Sequence, residues 1–315
     1  MTAILSLTIP FFAIILAGSI AAWRGWFSPR DGQMLARFAF FVALPPFMIV
    51  AITRTDVASS FEFGFILRYE LATIAMFMIS AVFVWLFLRL SGAERGMFCL
   101  NTAYPNYGYI GVPLALLAFG EKAALPVSLL LVFDTITLLV MTTLLSHNRG
   151  AGRLSAALKQ TCLSMVKNPL LMSVLAGFAM SVFGVKLAQM PDMLLTMLAG
   201  AAAPTALFAL GITLVGQPVR GALREILPIT VLKLILHPAL VAGIFILWPT
   251  KEQLDPLWIQ VAILFACLPI AANVFALSQY YNVYQGRTAT TIMLTTILAS
   301  FTVPAVLYFL VRWAG

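Results

Sequence analysis

The residues best placed to do chemistry in this sequence are asparagines beside prolines, in two long apolar runs. The first run reads Asn101-Thr-Ala-Tyr104-Pro105-Asn106-Tyr107-Gly108-Tyr109-Ile-Gly111-Val-Pro113-Leu114. The second reads Cys267-Leu-Pro269-Ile-Ala-Ala-Asn273-Val-Phe275, followed by Tyr281-Asn282-Val283. Proline removes a helical hydrogen bond and clashes with the preceding turn, so each run frees backbone amides and carbonyls. Hydrocarbon cannot satisfy those groups, and broken helices persist only where protein buries them or a cavity hydrates them. Asn106 offers two amide donors without a charge, beside a break where a half-helix N-terminus also carries positive potential. That combination suits a carboxylate that must be bound and then released; alternatively, Asn106 satisfies the broken helix's own carbonyls. Asn273 faces the second break in the same way. Asn101, about one turn before Pro105, is a further binding candidate or an interhelical packing residue. Gly108 and Gly111 would let two backbones approach closely. Tyr104, with Tyr107 and Tyr109, either lines the site or packs.

Ionisable residues at membrane depth form a second set. Asp134, Lys233 and His237 fall inside apolar runs, and Glu70 lies a turn or two from the end of another. Each is costly there, by about 2.5–3.5 kcal/mol on insertion scales, and is a functional candidate for that reason. If Glu70 and Asp134 are neighbours, they repel unless a proton or a cation joins them, which makes them a candidate proton or sodium site. Alternatively, Lys233 neutralises one of them as a structural ion pair. Lys233 and His237 are four residues apart and share one helix face; His237 precedes Pro238 and is also a candidate cap for a kink.

The elements that must position these residues are membrane spans. Of 315 residues, 62% are hydrophobic and 10% charged, where a soluble domain is nearer ~25% charged. The net charge of +8 sits in short loops between apolar runs, which favours a topological role over nucleic-acid binding. Cys99, Cys162 and Cys267 show no metal or disulfide spacing, so neither a metal nor another cofactor is expected. The first run lacks a basic leader and reads as a retained span.

Ten spans fit the chain, near 3–23, 33–53, 65–88, 96–118, 123–145, 166–187, 191–215, 223–248, 257–280 and 288–312. The polar stretch at the midpoint divides the chain into a first five-helix repeat over 1–145, a linker over 146–165 and a second repeat over 166–315. A shift of 159 residues places Pro10 on Pro169, Leu16-Ala17-Gly18 on Leu175-Ala176-Gly177, Gly25 on Gly184, Met34-Leu35 on Met193-Leu194, and Ala43 and Pro45 on Ala202 and Pro204. A shift of 164 places Pro105 on Pro269. An odd number of spans per repeat turns the second copy upside down, a plan common among secondary transporters. The expectation is an all-α polytopic membrane protein of ten transmembrane helices in two inverted five-helix repeats, with helices 4 and 9 broken and crossing at their prolines. With both termini outside, twelve loop cations face the cytoplasm and six (Arg54, Arg68, Lys122, Lys186, Lys251 and Arg312) face out, as the positive-inside rule requires.

At the breaks the sequence resembles the auxin efflux carrier family. Pro105-Asn106, four residues, then Gly111-x-Pro113-Leu114 matches that family's fourth-helix pattern, and Pro269 with Phe275 and Tyr281-Asn282-Val283 is similar to its ninth-helix pattern. Lys233-x4-Pro238-Ala239 resembles its eighth helix, and Trp26-Phe27-Ser28-Pro29 with Leu44-Pro45 its first loop and second helix. The resemblance implies a fold like sodium/proton antiporters and bile-acid symporters. It implies a scaffold of helices 1, 2, 6 and 7, which is also the expected homodimer surface, and an elevator-type transport domain of helices 3–5 and 8–10. It further implies a substrate carboxylate at the helix 4/9 crossing, with Glu70 and Asp134 in a supporting polar cluster. Where plant members carry a lysine one turn after the helix-3 acid, Ile74 stands here. The short central loop resembles the bacterial branch, whose substrates include malonate and malate, and implies the inner membrane. An intramembrane enzyme would need a paired nucleophile and base or two aspartates at depth, which the spans lack. A channel has no need of paired breaks, and a sodium-coupled bile-acid-type symporter would carry more acidic residues around the crossing.

Overall fold

The computed structural model describes residues 2–55, 61–146, 159, 162–163, 165–215, 223–248 and 254–313. Most of the linker expected over 146–165 lies outside these, as do His147, Arg149, Arg153, Arg220 and Lys251. The described residues are helical, with no strand among them beyond one isolated antiparallel bridge. The helices are α1 (Thr2–Trp23), α2 (Pro29–Phe38), α3 (Leu44–Thr53), α4 (Phe63–Phe87), α5 (Gly92–Ala103), α6 (Val112–Phe119) and α7 (Ala124–Ser146) in the first half. The second half holds α8 (Pro169–Val182), α9 (Gln189–Gly200), α10 (Ala202–Leu214), α11 (Leu223–Val231), α12 (His237–Leu247), α13 (Pro256–Cys267), α14 (Ala272–Tyr280) and α15 (Gln285–Trp313). Among the described residues, six stretches are long and apolar enough to cross a membrane: Pro29–Thr53, Phe63–Phe87, Glu121–Thr143, Gln189–Leu214, Leu223–Leu247 and Gln285–Leu310. Four shorter apolar helices accompany them: Ile9–Trp23, Tyr107–Phe119, Pro169–Val182 and Pro256–Cys267.

Local sequence explains where helices start. Ser28 and Ser91 close capping boxes with Asp31 and Glu94, and Asn168 and Asp255 accept main-chain N–H groups of the first turn. Proline follows three of these caps, where its missing N–H costs nothing. Inside spans, proline acts differently. Three five-residue π-helical segments, Ala39–Ala43, Tyr107–Gly111 and Leu232–Leu236, each end two residues before a proline: Pro45, Pro113 and Pro238. The carbonyl each proline would strike belongs to the residue four before it: Phe41, Tyr109 and Leu234. Each is the middle residue of its π segment, so the widened turn is where the chain absorbs the clash.

Boundaries recur between the halves. The aligned glycines Gly25 and Gly184 both have positive φ, +77° and +64°. Each ends its helix with the same pair of hydrogen bonds: Trp26 N–H to Ala21 O (2.9 Å) and Val185 N–H to Met180 O (2.8 Å), with Gly25 to Ala22 and Gly184 to Ser181. The 164-residue shift carries α5 onto α13 end to end, and the N-cap Ser91 onto the N-cap Asp255.

By its contacts the chain forms two compact units, each drawing on both halves of the sequence. One comprises 1–62, 107–132 and 166–217, the other 63–106, 133–165 and 218–315. In the first, α1 crosses α10 at backbone contact. A Cβ added to Gly18 would lie 2.2 Å from Phe208 O, and one on Gly211 2.0 Å from Ile15 O. The Ser19 hydroxyl donates to Gly211 O at 2.9 Å across the same contact. Gly177 of α8 packs likewise against Ile52 of α3, whose Cβ would stand 3.0 Å from an added one. Small residues let membrane helices meet this way, where dispersion and hydrogen bonds replace the hydrophobic drive. Arg54 ties α3 to Glu121 (3.0 Å) and Asp192 (3.3 Å).

The second unit packs α4, α5, α11–α15 and the later part of α7. Phe65 meets Trp258 edge-on with centroids 4.9 Å apart, and Ser80 of α4 hydrogen-bonds Thr102 of α5 at 2.7 Å. Arg68, counted above with the outer loops, instead lies in α4, 3% exposed with its guanidinium over the Phe245 ring. Its burial removes it from the loop count, leaving twelve cations against five.

Candidate functional site

Helix α5 ends at Ala103 because Pro105 cannot continue it, and α13 ends at Cys267 ahead of Pro269. Tyr104 and Leu268 then turn extended, with ψ of 104° and 150°. The extended pieces pair with each other. Asn106 N–H donates to Pro269 O at 2.9 Å, and Ala271 N–H donates to Tyr104 O at 3.1 Å, forming the antiparallel bridge of Pro105 and Ile270. Backbone groups freed by one proline thereby satisfy those freed by the other. Asn106 is 1% exposed. Asn273, in the first turn of α14, is half-buried. Gly108 falls in the other compact unit, where a Cβ would meet Leu170 at 3.6 Å and Leu44 at 4.0 Å. Tyr104 is buried with its hydroxyl 3.4 Å from Thr135.

Asn101 is held within the protein. Its amide nitrogen donates to Met97 O (2.7 Å) and to Thr288 Oγ1 (3.1 Å), and its oxygen accepts from Thr291 Oγ1 (3.2 Å). Of the two roles open to it, this geometry matches interhelical packing between α5 and α15. Thr295, one turn further along α15, accepts from Ile270 N–H at 3.3 Å. These three threonines were not singled out from the sequence. Their spacing of three and four residues on one helix face is the signal that could have found them.

The four ionisable residues come together in the second unit. Asp134 is fully buried and close enough to act electrostatically on Glu70, Lys233 and Tyr104. Thr137 stands beside the Glu70 carboxylate. Lys233 Nζ is 3.0 Å from His237 Nδ1 and donates to Ala266 O at 3.1 Å. It thus places a hydrogen-bond donor on the open carbonyl end of α13, immediately before the second break.

A separate ionic cluster joins helix starts. Arg287 lies 3.2 Å from both Glu94 and Glu225, and the Tyr284 hydroxyl donates to Glu225 at 2.5 Å. Burial disfavours the Glu94 carboxylate. The Ser91 amide and hydroxyl together with Arg287 outweigh that and hold its carboxyl below the usual glutamate range. Burial and the Glu225 carboxylate push the Tyr284 hydroxyl up.

The sequence matches the family model described as membrane transport protein over residues 3–307. A protein of Rhizobium meliloti (strain 1021), provisionally named a malonate transporter, is 35% identical over 312 residues, covering 98% of this chain and 96% of the relative. The uncharacterized transporter YfdV of Escherichia coli (strain K12) is 25% identical, covering 95% of each chain. An uncharacterized transporter of Methanothermobacter thermautotrophicus is 25% identical, covering 92% of this chain and 93% of the relative. These similar proteins are named as transporters, not as enzymes.

Proposed function

The chain belongs to the membrane transport protein family that contains the auxin efflux carriers, and from that premise we propose that it is a secondary carrier of a small organic carboxylate. The observation that carries this reading is the pairing of the two proline breaks, with Asn106 and Pro269 joined through their backbones. Asn106 and Asn273 supply neutral donors for a carboxylate there, beside the first turn of α14, whose N-terminus adds positive potential. Pro105, Pro269 and Tyr104 shape the site, and Asn101 positions α5 against α15. The relative provisionally named a malonate transporter favours a short dicarboxylate.

The four shorter apolar helices complete ten spans with the six longer ones. The recurrent caps at Gly25 and Gly184, and the match of α5 to α13, support two inverted five-helix repeats. The glycine crossing of α1 and α10, and that of α8 and α3, suit a scaffold of spans 1, 2, 6 and 7 that also dimerises. Spans 3–5 and 8–10 then move as an elevator. Glu70, Asp134, Lys233 and His237 form the coupling site for a proton or sodium ion. The protein lies in the cell's inner membrane with both termini outside.

Uptake of radiolabelled mono- and dicarboxylates into proteoliposomes, with and without pH and sodium gradients, tests the function. Saturable uptake of a short dicarboxylate is expected, and no uptake of any carboxylate under any gradient would refute it. For orientation, a cysteine at position 150 should resist a membrane-impermeant thiol reagent in intact cells, while one placed after Gly315 should react.

A further inference from the structure

A cavity of about 830 Å³ opens beside the ionic cluster of the second unit, walled by Trp85, Phe87, Arg89, Glu94, Arg224 and Arg287. Its residues cluster at the ends of three candidate spans. Trp85 and Phe87 finish Phe63–Phe87, Arg224 opens Leu223–Leu247, and Arg287 opens Gln285–Leu310. The cavity therefore lies at the depth where hydrocarbon gives way to headgroups. Trp85 and Phe87 are 73% and 63% exposed, an aromatic rim of the kind that settles at that boundary.

The charges inside do not cancel. Arg287 takes both carboxylates, Glu94 and Glu225, at 3.2 Å each. Arg224 donates to the carbonyl oxygen of Phe87 at 3.1 Å, which fixes its guanidinium at the rim without neutralising it. Among the described residues neither Arg224 nor Arg89 has a carboxylate within 4.0 Å. Two exposed guanidiniums at an aromatic rim, with an apolar wall running into the bilayer, call for an anion that brings its own acyl chains.

We infer that this cavity is a binding site for the phosphate headgroup of an anionic phospholipid, held by Arg89 and Arg224. The guanidinium fork suits phosphate oxygens, and the acyl chains lie along the apolar wall ending in Trp85, Leu86 and Phe87. The inference goes beyond transport and does not depend on which substrate is carried.

The test uses the full chain in neutral detergent, with bound lipid counted by native mass spectrometry. Phosphatidylglycerol, phosphatidylcholine with the same acyl chains, and inorganic phosphate are the three additives. The native protein should retain phosphatidylglycerol in preference to phosphatidylcholine. Each cation removed should weaken phosphatidylglycerol about fivefold, so R89Q/R224Q should bind it about twenty-fivefold more weakly. R89Q alone leaves the Arg224 bond to Phe87 intact, and it reads the fivefold step should the double variant fail to fold. R89K/R224K should keep most of the preference. Equal retention of the two lipids by the native protein, or unchanged retention in R89Q, would overturn the site. Displacement of phosphatidylglycerol by inorganic phosphate at equal concentration would overturn the lipid as its occupant.

Discussion

The main-chain N–H of Asn106 donates to the carbonyl oxygen of Pro269 at 2.9 Å, joining two positions 163 residues apart in sequence. Each proline opens a helix and leaves backbone groups that a bilayer interior cannot satisfy, and here the two openings answer each other. The pairing is completed from α15, where Thr295 accepts from the N–H of Ile270. Thr295→Val removes that acceptor inside a fully buried site. It should lower stability by about 1–3 kcal/mol, the cost of a buried orphaned donor. Thr295→Ser should restore most of it in the same thermal unfolding measurement.

Close helix crossing in the first unit gives a second expectation. Gly18→Ala and Gly211→Ala would place a methyl about 2 Å from the backbone oxygen of Phe208 or Ile15, so a helix must move. Each should cost at least the ~1–3 kcal/mol typical of overpacking. Gly200→Ala, with nothing within 4 Å of the added Cβ, should be neutral or slightly stabilising. Thermal inactivation in detergent separates the three.

Much of this arrangement is legible in the sequence. Pro105 and Pro269 are recognisable because proline removes a helical hydrogen bond wherever it falls in a span, although Pro10, Pro228 and Pro304 sit inside unbroken helices. Gly25 and Gly184 are recognisable because aligned glycines past helix ends point to a shared backbone turn. Other features are not legible, for physical reasons. Asn101 reads equally as a ligand or as packing until its partners Thr288 and Thr291, 187 and 190 residues away, are known. Threonine itself is a weak signal, since its hydroxyl can return to its own helix, as Thr291 also does with Arg287 O. The burial of Arg68 against Phe245 depends on a neighbour from another span. The π segments before Pro45, Pro113 and Pro238 show that proline's effect is predictable while the way the helix yields is not.

Glu94 provides a pH test. Its folded carboxyl sits below the ordinary range, so it contributes stability above the unfolded value of ~4.3. That contribution is lost as pH falls through the lower folded value. Glu94→Gln should therefore be less stable than the native protein at neutral pH, with the gap closing in acid. A gap that stays constant from pH 7 to pH 3 would show that the carboxylate's charge is not what Arg287 and Ser91 hold.

For the buried charges, Asp134→Asn should transport with a flattened response to pH or to sodium, whichever the native carrier shows. Glu70→Gln should do the same more mildly, being 8% exposed where Asp134 is fully buried. If Lys233 is instead the structural partner of Asp134, Lys233→Ala should destabilise the fold and Asp134→Asn should partly rescue it. Unchanged pH and sodium profiles in Asp134→Asn would remove these residues from coupling and leave a carrier driven by substrate gradient and membrane potential.

The most direct measurement is equilibrium binding of radiolabelled malonate and its short dicarboxylate relatives to purified native protein and to Asn106→Ala and Asn106→Asp. A charge-assisted hydrogen bond of about 1.5–3 kcal/mol is lost with the amide, so Asn106→Ala should bind about tenfold to more than a hundredfold more weakly. Asn106→Asp should bind more weakly still through repulsion, with thermal unfolding of both variants close to native. Native affinity in either folded variant would contradict a carboxylate site at the paired breaks.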